Sequence, residues 1–335
     1  MDDAAAKENI CAVILAAGKG TRMKSERAKV LHEVFGSPMV CHVIDAVKAA
    51  GIHDVVVVVG HQVEKVQACL ATFEVKLALQ EEQLGTGHAV LCAKPEIGEE
   101  HSQILILCGD TPLISSATLA HFKEHHKASG AAVTVMSTIV DDATNYGRII
   151  VDEKGAILRI VEEKDASESE RLIKEINAGV YLVEKTFLFD ALLRVGNDNS
   201  QGEVYLTDIV SIAHRMNLLV NRYPCSDPSE VTGVNSRVEL AAVEKCFRDR
   251  RNADLMRSGV TMQDPSSTFI DREVVIGKDT LIRAHVHLRG QTVIGERCVI
   301  DCFSVLSDCN LGDGVVIAPF SNLWNKTVRD GEQGS

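Results

Sequence analysis

Cys11-Ala12-Val13-Ile14-Leu15-Ala16-Ala17-Gly18-Lys19-Gly20-Thr21-Arg22-Met23 passes from an apolar, β-branched run into a glycine-rich loop. The run reads as a strand, and the loop that follows it is built to hold a polyphosphate. Glycines let the backbone bend tightly there, so that successive N–H groups can point at phosphate oxygens, while Lys19 and Arg22 add mobile positive charge. No G-K-[ST] closes the loop, and Met23 occupies the third glycine position of G-x-G-x-x-G, so it is neither a P-loop nor a dinucleotide-binding turn. A glycine-rich turn after a strand can be only a turn. Its surroundings decide.

Outward from this loop, strand-like runs alternate with helical patterns: Met39–Ala50, Val55–Val59, a helix to about Ala71, Val75–Leu79, Gly87–Lys94 and Ile104–Cys108. That βαβα rhythm predicts an α/β fold, a mostly parallel sheet with helices on both faces. Five consecutive valines at Val55–Val59 suit a central strand buried on both sides. Ala131–Met136, Arg148–Val151, Ile157–Val161 and Ile176–Val183 read as additions to the sheet that carry a substrate pocket. Ser236–Met256 has apolar residues at helical spacing among many charges and reads as a connecting helix ending near Gly259. Beyond it Ile270, Ile276, Ile282, Leu288, Ile294, Ile300 and Leu306 recur every six residues. Val274, Thr280, Val286, Thr292, Cys298 and Ser304 follow each by four, and one step of five leads to Leu311, Ile317 and Leu323. Such a period is that of a hexapeptide β-helix, of about three coils. The domains expected are 1–235, 236–262 and 263–335.

With 335 residues the chain can build two cores, and its net charge of −12 argues against nucleic acid or an anionic membrane as the main partner. Ten cysteines without a C-x-x-C pair read as reduced thiols of a cytoplasmic protein. Met1 to Asn9 is polar, and the apolar run after it is interrupted at Gly18, so neither a signal peptide nor a membrane span is expected.

Further motifs accompany the loop: Lys29-Val30-Leu31, Gln80 with Gln83-Leu84-Gly85-Thr86-Gly87, Gly109-Asp110 at a strand end, Tyr146-Gly147-Arg148, Glu162-Glu163-Lys164, Asn177-Ala178-Gly179 and Gly233-Val234-Asn235. Taken singly, each has a plain alternative. Asp110 could cap a turn, Glu162 and Lys164 could be a solvated pair, Asn177 and Asn235 could be turn formers, and Lys29 could be surface charge. In this order and spacing they resemble the bacterial bifunctional N-acetylglucosamine-1-phosphate uridyltransferase/glucosamine-1-phosphate acetyltransferase family, over about residues 10 to 262 and then as repeat architecture.

That resemblance implies a Rossmann-like nucleotidyltransferase domain with a mixed sheet, a connecting helix and a short left-handed hexapeptide β-helix. It implies transfer of a uridylyl group from UTP to N-acetylglucosamine 1-phosphate, which supplies a UDP-sugar for the cell wall. The UTP phosphates would lie on Gly18, Lys19, Gly20, Thr21, Arg22 and Lys29, and the uracil against Leu15, Ala16, Ala17, Gln80, Gly85 and Thr86. Cys108 and Gly109 would border the substrates, and Gly147, Glu162 and Asn177 would meet the sugar. Asp110 and Asn235 would hold Mg2+, and Arg22, Lys29 and Asp110 would carry catalysis. A phosphate nucleophile is already ionised near neutral pH, so no general base and no covalent enzyme intermediate are needed. Ala28, Cys108 and Ala178 depart from the family pattern, which bears on sugar preference. Another sugar 1-phosphate, or a non-catalytic UDP-sugar-binding module, is the alternative. Because the chain ends at Ser335, and Leu323-Trp324-Asn325 lacks the arginine of the family's acetyl-transfer region, no acetyltransferase activity is expected. A homotrimer through the β-helix is expected. His285 and His287 read as structural, and His121 and His125 as surface residues, since the glutamate of H-E-x-x-H is missing.

Overall fold

The computed structural model describes residues 9–334; the polar start up to Glu8 and the final Ser335 lie outside the described residues. The chain forms two compact units, one made of the residues up to His32 with Pro38–Glu239, the other of Glu33–Ser37 with the chain from Leu240 onward.

The first unit is a nine-stranded mixed sheet. Its main path runs Val220–Pro224, Val133–Ile139, Glu175–Glu184, Gln103–Cys108, Ile10–Leu15, Val55–Val59, Lys76–Leu79, and the hairpin Arg148–Val151/Ile157–Val161 attaches beside Glu175–Glu184. Four strands around Ile10–Leu15 are parallel, as the alternating pattern requires, whereas Glu175–Glu184 runs antiparallel to both of its path neighbours. All five valines of Val55–Val59 are buried, each contributing roughly 1.5–3 kcal/mol as an upper estimate. The chain first builds to one side of Ile10–Leu15 and then places Gln103–Cys108 on the other. The order therefore reverses between the carboxyl ends of these two strands, where open α/β sheets bind ligands.

Two differences from the sequence reading have clear causes. The strand expected at Ala131–Met136 runs from Val133 to Ile139, since its partner Glu175–Glu184 keeps pairing as far as Ile139. Val220–Pro224, not foreseen, is a half-buried polar edge strand ending in proline, and its residues carry little strand signal. His121 is exposed as expected, but His125 is half-buried: its Nε2 lies 3.0 Å from Asn221 Nδ2, and its ring meets Tyr223 edge-on.

The helix Arg237–Arg257, which belongs to the second unit from Leu240 onward, leads into three flat parallel sheets of five, four and four strands, so the β-helix makes about four coils where about three were expected. The count rises because Thr261–Met262 already pairs with Leu281–Ile282, and Gln333–Gly334 still pairs with Val316–Ile317. The residues recurring every six are buried inside the coil. Ile282 pairs with Ile300 in a full coil, while Ile294 pairs with Leu311 across the shortened step.

One corner allows no side chain. A Cβ on Gly295 would lie 2.5 Å from Asp313 Oδ1 and 2.7 Å from the Gly312 carbonyl carbon of the next coil. Gly295→Ala is therefore expected to destabilise the β-helix by about 1–3 kcal/mol, the usual cost of overpacking. Denaturant unfolding followed by circular dichroism would read this as a lower midpoint at unchanged slope; an unshifted midpoint would contradict the close stacking.

Candidate functional site

At the reversal of strand order, Leu15 and Cys108 end their strands in register. The Gly109 N–H donates to the Leu15 carbonyl at 2.9 Å, and the Ala16 N–H to Val58 at 2.8 Å. These bonds hold the starts of the two loops, Ala16–Gly20 and Gly109–Asp110, side by side. Together they open into a cleft of about 460 Å3 lined by Leu15, Ala16, Ala17, Gly18, Lys19, Lys29, Val30, Gln80, Gln83, Gly85, Thr86, Ala89, Cys108, Asp110 and Glu203. Gly20 turns with φ +59°, and a Cβ there would stand 2.6 Å from Lys29 Cβ, so the glycine lets the loop pack on the lysine.

Lys29 is the centre of the polar end. Its ammonium donates to Asp110 Oδ2 and, at 3.0 Å, to Asn235 Oδ1. Asn235 is brought there by the backbone, because the Val234 N–H donates to the Asp110 carbonyl at 2.9 Å and the Asn235 N–H to Glu239 Oε2 at 2.6 Å. A carboxylate and an amide oxygen thus converge on one cation, the ammonium of Lys29. Oxygen donors around a positive charge suit a hard divalent ion, and the Asp110 carboxylate and the Asn235 amide oxygen are donors of that kind.

Beside this end, Gly147, Glu162 and Asn177 come together. A Cβ on Gly147 would lie 3.6 Å from Asn177 Cβ and 3.6 Å from Glu162 Oε2. Asn177 Oδ1 accepts the Gly179 N–H at 3.0 Å. Burial raises the Glu162 pKa above the usual carboxylate range, against the pull of a 3.2 Å hydrogen bond from the Thr207 hydroxyl. Burial, with the Asp110 carboxylate adding to it, pushes the Cys108 thiol up to about 12, so it meets ligands as a neutral group.

Of the residues foreseen from sequence, Leu15, Ala16, Ala17, Gly18, Lys29, Gln80, Gly85, Thr86, Cys108 and Asp110 line the cleft. Gly109 and Asn235 adjoin it through Leu15 and Lys29. Gly147, Glu162 and Asn177 form the neighbouring cluster and are not among the lining residues. Thr21 and Arg22 are exposed on a short 3-10 turn outside the lining.

Three further residues were not foreseen: Ala89 and Glu203 in the lining, and His88 behind it. Glu203 reaches the cleft because its segment bonds back to the Gly85 loop: the Val204 N–H donates to the Leu84 carbonyl and the Gly87 N–H to the Val204 carbonyl, each at 2.8 Å. His88 lies behind Gln80. Gln80 Nε2 donates to the Gly85 carbonyl at 3.1 Å and stands 3.1 Å from His88 Nδ1. A carbonyl can only accept, so the Gly85 bond fixes which end of the amide is nitrogen. His88 falls within the helix Thr86–Ala93, but nothing in the sequence pairs it with Gln80.

A glycine-loop α/β domain with its cleft at the strand reversal, followed by a hexapeptide β-helix, is the architecture of a sugar-nucleotide-forming nucleotidyltransferase. The model of the MobA-like NTP transferase domain matches residues 12–203, and that of the bacterial transferase hexapeptide (six repeats) matches residues 273–308. The bifunctional protein GlmU of Desulfotalea psychrophila is 48% identical over 328 residues, covering 98% of this chain and 97% of that protein. The bifunctional protein GlmU of Geotalea uraniireducens is 47% identical, covering 96% of this chain and 71% of that protein. A solved structure from Bacillus anthracis, provisionally named a glucose-1-phosphate thymidylyltransferase, shares the fold at TM-score 0.59 and 18% identity, over 72% of this chain and 96% of its own. The chain belongs to the family of the bifunctional protein GlmU. Among the described residues no helix is long and apolar enough to cross a membrane.

Proposed function

We infer that the chain joins a sugar 1-phosphate to UTP, with release of pyrophosphate and formation of a UDP-sugar, and that the sugar is N-acetylglucosamine 1-phosphate. The observation that carries this is the convergence of Asp110 and Asn235 on the ammonium of Lys29 beside the glycine loop. Sugar phosphate and UTP are both anions, so the reaction needs cations placed at the phosphates and reactants held in line.

The loop Gly18–Arg22 supplies backbone donors and mobile charge to the triphosphate, and Lys29 reaches the oxygens next to the α-phosphorus. Asp110 and Asn235 would hold Mg2+, which would supply positive charge to the phosphate oxygens. The sugar lies at Gly147, Glu162 and Asn177, where the hydrogen-bonding groups are partly desolvated and discriminate between hydroxyl and acetamido substituents. Pyrophosphate release measured across a panel of sugar 1-phosphates tests the assignment: fastest turnover with N-acetylglucosamine 1-phosphate supports it, and a clear preference for glucose or galactosamine derivatives overturns it. The protein works in the cytoplasm, and its β-helix assembles as a homotrimer through flat faces that expose Val275 and Val293; a monomer mass by light scattering at assay concentration would remove the trimer.

Gln80 reads the base. With its nitrogen committed to Gly85 and His88, its oxygen is left to accept an N–H such as uracil N3–H, which cytosine lacks. His88 therefore acts as a positioning residue. His88→Ala is expected to raise KM for UTP by about tenfold, roughly one hydrogen bond's contribution, with a smaller change in kcat and a weakened preference over CTP. Unchanged base preference would remove this role.

A further inference from the structure

Two cysteines that take no part in the cleft lie against one another. Cys41 sits in the helix Met39–Ala49 and Cys69 ends the helix Val63–Cys69; their sulfurs are 3.7 Å apart. That is sulfur–sulfur contact distance, about 1.7 Å longer than a disulfide bond. Cys41 is buried, while Cys69 is half-buried and opens on a surface cleft that it shares with Glu26, Arg27, Leu31 and Lys65. An accessible thiol in a cleft that carries Arg27 and Lys65 as well as Glu26, with a second thiol behind it, suits an attacking and a resolving cysteine.

We propose that Cys41 and Cys69 are a modification site: a small anionic disulfide of the glutathione type oxidises them to a reversible intramolecular disulfide. The Cys69 thiolate attacks one sulfur of the reagent, breaking its S–S bond and releasing one small thiol. The resulting mixed disulfide is then attacked by Cys41, which gives its proton to solvent, forms the Cys41–Cys69 bond and expels the second small thiol. Two electrons pass to the reagent, which leaves as two thiols. Arg27 and Lys65 match the carboxylates of such a reagent. Burial pushes the thiols of Cys11 and Cys108 up to about 12 and also raises those of Cys92 and Cys225, which makes these four slower to react.

The bridge has a route to the cleft, and this part rests on the function proposed above. Gln62 immediately precedes the Cys69 helix. Its Oε1 accepts the Ala28 N–H at 3.0 Å, and its Nε2 donates to the Glu26 carbonyl. Ala28 precedes Lys29. Drawing the Cys69 helix toward Cys41 therefore acts on the segment that presents Lys29, and turnover is expected to fall.

The test uses the full chain treated with glutathione disulfide, after which free thiols are alkylated and the protein is examined by intact and peptide mass spectrometry. Expected is a species lighter by two hydrogen atoms, with the peptides of Cys41 and Cys69 linked and the link removed by a reducing agent. Cys41→Ser should instead retain glutathione on Cys69, and Cys69→Ser should leave Cys41 unmodified. Wild-type protein carrying only glutathione on Cys69, or a bridge between other cysteines, would overturn the proposal. Turnover should fall in the bridged wild type and not in treated Cys41→Ser; unchanged turnover in fully bridged protein would overturn the route through Gln62. Because the bridge is read by mass, it can be found even in a protein without uridylyl transfer, which separates the two failures.

Discussion

Asp110→Ala is expected to lower kcat for UDP-sugar formation by about 10³-fold, close to 4 kcal/mol of lost transition-state stabilisation. The carboxylate is the only formal negative charge among the three groups that converge there, Lys29, Asp110 and Asn235. Without it, the amide oxygen of Asn235 would face a divalent ion alone, and the ammonium of Lys29 would lose its counter-charge. Both consequences weaken cation binding, and neither removes the loop or the base-reading residues. KM for UTP should therefore change far less than kcat at saturating metal. A thermal shift gives an independent reading: UTP with Mg2+ should stabilise the wild-type protein more than the variant, by linkage to binding. Undiminished turnover in Asp110→Ala would mean that the metal is held elsewhere.

Lys29→Met is expected to act in two directions. In the described structure the lysine occupies the position that a divalent ion would share with Asp110 and Asn235, and its side chain is largely buried (15% exposed). Two cations a few ångströms apart repel by several kcal/mol even at an effective dielectric of about 20. A metal at Asp110 would therefore compete with Lys29 in the free protein, and the four negative charges of UTP would allow both to stay. Removing the ammonium should tighten binding of Mg2+ alone by about tenfold, as measured by calorimetry without nucleotide. It should also reduce kcat by about 10²–10³-fold, because the charge that accompanies the transferring phosphate is gone. Loss of kcat without tighter metal binding would place Lys29 on the phosphates only. Unchanged kcat would exclude it from the reaction.

Much of this layout could be read along the chain because the decisive residues are contiguous with a periodic element. The loop Ala16–Arg22 and the pair Gly109-Asp110 each follow a strand directly, so once the sheet order is set, their meeting is a consequence of topology. The β-helix was legible for a similar reason, since its six-residue period is a local property repeated many times. Contacts between distant segments were not. Asn235 meets Lys29 across 206 residues, and from sequence only the family resemblance drew Asn235 to the site, as a partner of Asp110. Glu203 arrives at the cleft through backbone bonds to Leu84 and Gly87 that leave no pattern in its own segment. The pairing of His88 with Gln80, like that of Cys41 with Cys69, depends on side-chain direction after folding, which hydrophobic periodicity does not encode. Val220–Pro224 escaped notice because an edge strand needs neither apolar alternation nor β-branched residues on its open side.

The most direct measurement incubates the full chain with UTP, N-acetylglucosamine 1-phosphate and Mg2+, and follows UDP-N-acetylglucosamine and pyrophosphate together, with and without a chelator. Expected is equimolar formation of the two products, abolished by the chelator and reduced about 10³-fold in Asp110→Ala. The contradicting result is UTP binding to the cleft with no pyrophosphate released from any sugar 1-phosphate, which would leave a binding module in place of an enzyme.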